Sequence, residues 1–434
     1  MNASFIGILG IVILVILFLL RMPVGFAMAI VGLAGFSYLV SPEAGLALIA
    51  RDVFEIFSSY NLTVITAFIF MGAITYYSGV SRRLFNTSYS FLGGVRGGLA
   101  MATCLACALF GAICGSTNAA AAAMGKVTLP EMKRYNYDIA LATGCVASAG
   151  SLAILIPPST IFVVYGIMTE QSIGKLFISG ILPGILLTLL LMATVYILCL
   201  RNPALGPAGP RTTWKQKLGT LPGVGEMLIL FLLVIGGLFA GWFTPTEAGA
   251  IGTAGAIIIG LARRELGWSG FVNAIKDSLQ ITCMVFVIVT GAVIFGHFFA
   301  VTEIPFKLSD WVTALPISQV AVMGVIIFIY FIGGCFMDSL AMITLTVPIF
   351  YPAVIALGFD PIWFGVIIVL VVEMGVITPP VGINVYVIKG VVPDVPLATI
   401  FRGIFPFLGA IIVTTIILVF FPQIATFLPS FMRY

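Results

Sequence analysis

Four interruptions of apolar sequence carry the residues with chemical potential in this chain. The first is Cys114, Gly115, Ser116, Thr117 and Asn118, followed by an alanine run. The second is Gly150 and Ser151, leading to Pro157, Pro158, Ser159 and Thr160. The third is Gly333, Gly334, Cys335, Phe336, Met337, Asp338 and Ser339, and the fourth is Gly375, Thr378, Pro379, Pro380, Gly382 and Asn384. Proline lacks a backbone donor and clashes with the preceding turn, so a double proline beside glycine unwinds a helix and frees its carbonyls. Freed carbonyls with Ser, Thr and Asn oxygens suit a hard, weakly held cation such as sodium. The positive N-terminal ends of the resumed helices suit an anion. Two cation sites beside one anionic substrate is the chemistry that fits.

Other chemistries find little support. There is no Walker A run, no HExxH and a single histidine, His297. ATP hydrolysis and zinc catalysis therefore have no residues to run on. Cys104 and Cys107 form a CxxC without a second pair, which reads as packing. An intramembrane enzyme would need an activated nucleophile, and none is in view, so the chain is not expected to be an enzyme or to need a cofactor. Asp338 at a tip is either a cation ligand or gate, or the cap of the following helix. Glu373, six residues before Pro379, either carries a proton or has a structural or solvated role, and the latter is the preferred reading. His297 reads as packed or interfacial, with a proton relay as the alternative. Thr244 and Pro245 read as the cap and first residue of a helix.

The elements that must hold these residues are membrane helices. Of 434 residues 61% are hydrophobic and 8% charged, against about 25% charged in globular chains. The apolar run 5–20 has its positive residue, Arg21, after it, the wrong order for a cleavable signal peptide, so it reads as a retained span. Spans are predicted near 4–20, 23–40, 61–80, 136–168 (broken), 176–200, 224–242, 245–262, 279–301, 361–390 (broken) and 403–428. Stretches 98–128 and 318–358 break at their middles and read as re-entrant hairpins. Lys126 and Pro130 are expected to end the second arm of the first hairpin after about ten residues, too short for a core of about 30 Å. Segments 81–97 and 263–277 read as interfacial helices or arms, and 201–223 as a polar linker.

The chain repeats internally. Ser116 lies 41 residues before Pro157, and Ser339 lies 40 before Pro379. Pro183 and Pro406 each follow their serine by 67 residues, while Pro23 and Pro245 precede theirs by 93 and 94. Four matches in order predict a duplication, with halves at 1–200 and 224–434. Each half holds five crossings and one hairpin, and an odd count inverts the second half in an all-α polytopic fold. On that topology sixteen Lys and Arg residues, including Lys126, Arg211 and Lys215, fall on one side. Only Arg51, Lys175, Lys307 and Arg433 fall on the other. By the positive-inside rule the rich side is cytoplasmic and both termini face outward.

The runs RMPVG at 21–25, GAICGS at 111–116, AGSLAILIPPS at 149–159, TPTEAG at 244–249 and TPPVGIN at 378–384 span almost the whole chain. In these runs the sequence resembles the large membrane subunit of TRAP (tripartite ATP-independent periplasmic) transporters. The resemblance implies an elevator-type carrier in a bacterial inner membrane, importing an organic acid such as a C4-dicarboxylate or a sialic acid with sodium as coupling ion. It implies a small membrane subunit and a periplasmic binding protein as partners, and no nucleic acid. The chain starts almost directly with its first repeat, so the small subunit is expected as a separate chain. Carried over by position, one sodium site falls on Cys114, Ser116, Thr117, Asn118, Gly150, Ser151 and Pro157. The other falls on Gly334, Asp338, Ser339, Thr378, Pro379, Gly382 and Asn384. Substrate is expected on Ser116, Asn118, Ser159, Ser339 and Asn384. Cys114 departs from the serine expected there, and a thiol is a poor sodium ligand, so backbone oxygen would have to serve. The alternative is a stand-alone ion-coupled anion carrier that needs no binding protein.

Overall fold

The computed structural model describes residues 2–210 and 212–432, so Arg211 and Arg433 of the charge pattern lie outside the described residues. All regular structure among the described residues is helical. Among the described residues seven helices are long and apolar enough to cross a membrane, including Ile173–Arg201, Pro222–Phe239, Pro245–Ala262, Trp268–Val301 and Leu397–Phe420. Apolar helices of 10–17 residues accompany them, and of these Gly98–Cys114 and Pro361–Gly375 are almost wholly buried.

The breaks fall where proline, glycine and small polar residues put them. The first hairpin is Gly98–Cys114 and Thr117–Arg134, turning at Gly115, whose φ of 61° suits glycine. The second hairpin is Gln319–Gly334 and Ser339–Ala356. The first broken helix is Ile139–Ser151, one 3-10 turn, then Thr160–Thr169. The second is Pro361–Gly375, then Ile383–Val391. The peptide bonds Pro157–Pro158 and Pro379–Pro380 are both cis. Thr244 caps Pro245–Ala262 in a reciprocal box with Glu247, as the Thr-Pro pair suggested.

Small residues let these helices approach closely. Gly144 on the first broken helix packs against the backbone of Gly403 on Leu397–Phe420. Gly25 on Val24–Leu39 packs in the same way against Gly291 on Trp268–Val301. Each contact joins an element from one half of the chain to an element from the other, so the halves interleave. Residues 362–375 are buried without exception, which places the second broken helix at the centre.

Three expectations about elements need correction. The second arm of the first hairpin does not end near Lys126 and Pro130; it runs 18 residues to Arg134 with Pro130 inside. A proline in a helix removes one hydrogen bond, and tertiary packing tolerates that here. Segment 263–277 is not a separate arm: from Trp268 it is continuous with the following span in one 34-residue helix. The helices Pro42–Ser58 and Ile304–Ala314 were not anticipated, because neither is apolar all round. The 201–223 linker is also less open than its composition suggested. It contains the helix Trp214–Thr220, and the amides of Gly97 and Gly209 bond to Gly206 and Gly93.

Candidate functional site

Each hairpin tip is built by a cap. Ser116 Oγ accepts the amide of Ala119 at 3.5 Å, starting the second arm of the first hairpin. At the second tip Asp338 Oδ1 accepts two amides, from Leu340 at 3.0 Å and Ala341 at 3.1 Å. The capping reading of Asp338 is therefore realised, with a carboxylate where the first tip has a hydroxyl. The Cys114 thiol is buried and lies 3.8 Å from the carbonyl of Ser116.

Each tip rests on the broken helix of its own half. Thr160 donates to the carbonyl of Gly115 at 3.2 Å, while Ser159 caps Thr160–Thr169 through the amide of Phe162. The amide of Val381 donates to the carbonyl of Cys335 at 3.2 Å. A Cβ on Gly111 would meet Ala153 at 2.9 Å, and a Cβ on Gly375 would land on the backbone of Gly334. Gly150 lies against Ala121, which puts the alanine run to use as a close-packing face. Thr378 bonds back to the carbonyl of Met374 at 2.6 Å.

The two broken helices also bond to one another. Ser151 donates to Oε1 of Glu373 at 2.7 Å, and Asn384 Nδ2 donates to the carbonyl of Ala147 at 3.1 Å. Glu373 is fully buried, which removes the solvated reading. His297 pairs at 3.3 Å with Asp52, a buried carboxylate that Arg51 also holds.

Both tips open on one cavity of about 320 Å³. From the first tip it is lined by Cys114, Ser116, Thr117 and Asn118, and from the second by Asp338 and Ser339. Thr160, Val376 and Ile383 line it from the broken helices. The structure thus gathers six of the expected residues around one space. Gly150, Ser151, Pro157, Ser159, Gly334, Thr378, Pro379, Gly382 and Asn384 do not line it, and Pro379 is exposed. Sequence reasoning did not place Tyr76, Tyr77, Lys126 and Asp277 in the site, yet all four line it. The available signal was Lys126 itself, a cation eight residues before the Glu131-Met132-Lys133-Arg134 end of its arm, which reads in the sequence as a helix terminator and as part of the charge pattern.

Residues 11–424 match the family described as "Tripartite ATP-independent periplasmic transporter, DctM component". The chain belongs to the DctM family. It is 38% identical to the C4-dicarboxylate TRAP transporter large permease protein DctM of Pseudomonas aeruginosa, covering 91% of this chain and 92% of that one. The Ectoine/5-hydroxyectoine TRAP transporter large permease protein UehC of Ruegeria pomeroyi is 32% identical, covering 96% of each. The sialic acid TRAP transporter large permease protein SiaM of Vibrio cholerae is 30% identical, covering 94% of this chain and 95% of that one. In fold, this DctM chain is similar to the Alcanivorax borkumensis YdaH transporter, with a TM-score of 0.60 at 14% identity, covering 88% of this chain and 90% of that one. As a DctM component it is a multi-pass membrane permease subunit.

Proposed function

We propose that the chain is the sodium-coupled permease through which a tripartite transporter imports an organic acid. The observation that carries this reading is the convergence of two hairpin tips, one from each half, on one cavity. Capped helix starts and small polar side chains face that cavity, the surroundings expected for an anion beside hard cations. The sodium ligands are proposed where the sequence placed them, around the first tip with 150–157 and the second tip with 378–384.

The architecture we propose is a pair of inverted repeats, 1–200 and 224–434, joined by a cytoplasmic linker at 201–223. Matching features support it: Gly111 and Gly334 both precede their tip serine by five residues, and each packs on its own broken helix. In an elevator cycle the hairpins and broken helices would move together against the remaining spans. Sodium coupling then means that bound sodium favours the state that holds substrate, a reciprocal effect. A small membrane subunit and a periplasmic binding protein complete the system in a bacterial inner membrane, with both termini outside.

Uptake into proteoliposomes with both partners supplied tests the reading. Uptake should vanish when potassium or choline replaces sodium, and uptake that persists overturns sodium coupling. Transport of free substrate without the binding protein would favour the stand-alone carrier.

A further inference from the structure

The cavity is electrically lopsided. Three charged side chains line it, Lys126, Asp277 and Asp338, so it holds one cation and two carboxylates. Lys126 reaches from the first hairpin to the hydroxyl of Tyr76 at 3.5 Å, and among the described residues it forms no ion pair. Asp277, on Trp268–Val301, accepts the hydroxyl of Tyr77 at 2.7 Å through one oxygen and leaves the other open. The two rings meet edge to face with centroids 5.0 Å apart, so adjacent tyrosines hold the opposite charges at separate points of the wall. The wall also carries the apolar side chains of Ile69, Phe110 and Ile281. Lys126 and Asp277 are both exposed and so open to a ligand entering the cavity.

We propose that Lys126 takes the carboxylate of the substrate and Asp277 takes a donor at its other end, so the substrate is a small monocarboxylate bearing a hydroxyl or ammonium group. The inference rests on the transporter reading above and narrows it. A second carboxylate would find Asp277 and Asp338 facing it. The other positive features are the starts of Thr117–Arg134, Thr160–Thr169 and Ser339–Ala356, each offering about half a charge, and the last of them already faces the Asp338 cap. At about 320 Å³ the space lies at the small end of the usual range for ligand pockets, about 300–1,000 Å³.

Three probes of equal chain length separate the possibilities: 4-aminobutyrate, 4-hydroxybutyrate and succinate. Calorimetric titration of the full-length permease in lipid nanodiscs with sodium should show both monocarboxylates binding about tenfold more tightly than succinate, or about 1.4 kcal/mol. Lys126→Met should weaken both by about tenfold or more, while Lys126→Arg keeps them. Asp277→Asn should selectively close the gap to succinate. Succinate binding as tightly as the others, indifference to Lys126→Met, or no binding of any probe overturns the proposal. Sodium-dependent uptake by the three-component system stands or falls separately, so failure here leaves the transporter reading to its own test.

Discussion

Ser151 meets one oxygen of the buried Glu373 carboxyl group at the centre of this molecule, and the other oxygen has no partner among the described residues. The serine hydroxyl donates to one carboxylate oxygen, and the side chains come from broken helices in different halves. Removing the donor strands a buried acceptor, which costs about 1–3 kcal/mol. Ser151→Ala should lower unfolding stability in detergent by that order, and Ser151→Thr, which keeps the hydroxyl, should recover most of it. Asp338 separates two roles by substitution. Asp338→Ser preserves a capping oxygen, while Asp338→Ala should cost about 0.5–2 kcal/mol of stability. If the charge also serves a cation, Asp338→Ser will fold normally and yet show weaker sodium dependence of uptake. The sequence made Glu373 and Asp338 visible, because a carboxylate in an apolar run stands out. It did not make the Ser151 partnership visible, since 222 residues separate the two and nothing local encodes the pairing.

Helices in this chain are positioned by what their glycines allow. Gly375 meets the backbone of Gly334, so a methyl group there has no flexible neighbour to displace. Gly375→Ala should destabilise the permease and abolish uptake, whereas Gly409→Ala, with nothing within 4 Å of its Cβ, should leave both near normal. Comparing folded yield and uptake of the two variants checks the claim. Element breaks were the most legible feature of the sequence, because proline and glycine act on their own immediate turn. Continuity was harder to read. The charged start of Trp268–Val301 looked like a separate arm, yet Asp277 there faces the cavity and bonds to Tyr77. Pro130 likewise looked like an end and is an interior residue, a case of packing overriding propensity.

At the scale of the whole molecule, orientation is the proposal most open to a direct check. Lys175→Cys should react with an impermeant thiol reagent from the outer face of intact cells, and Lys215→Cys only after permeabilisation. The reverse pattern would invert the topology. Ion pairs bind the proposed cytoplasmic side into one body: Arg83 meets Glu265 and Glu226, and Glu226 also meets Arg263. These residues come from both halves, which no reading of either half alone could supply. The Ser151–Glu373 bond carries a consequence for ancestry. Each residue lies six positions before its own double proline, so on the proposed duplication the two are counterparts that touch. An ancestor assembled from two identical chains would have set each residue against its own copy at that point, serine on serine or glutamate on glutamate. Two facing carboxylates repel, and two short hydroxyls leave a gap. Once fused into one gene, the copies could diverge, and a donor could come to face an acceptor, an arrangement closed to any symmetric pair.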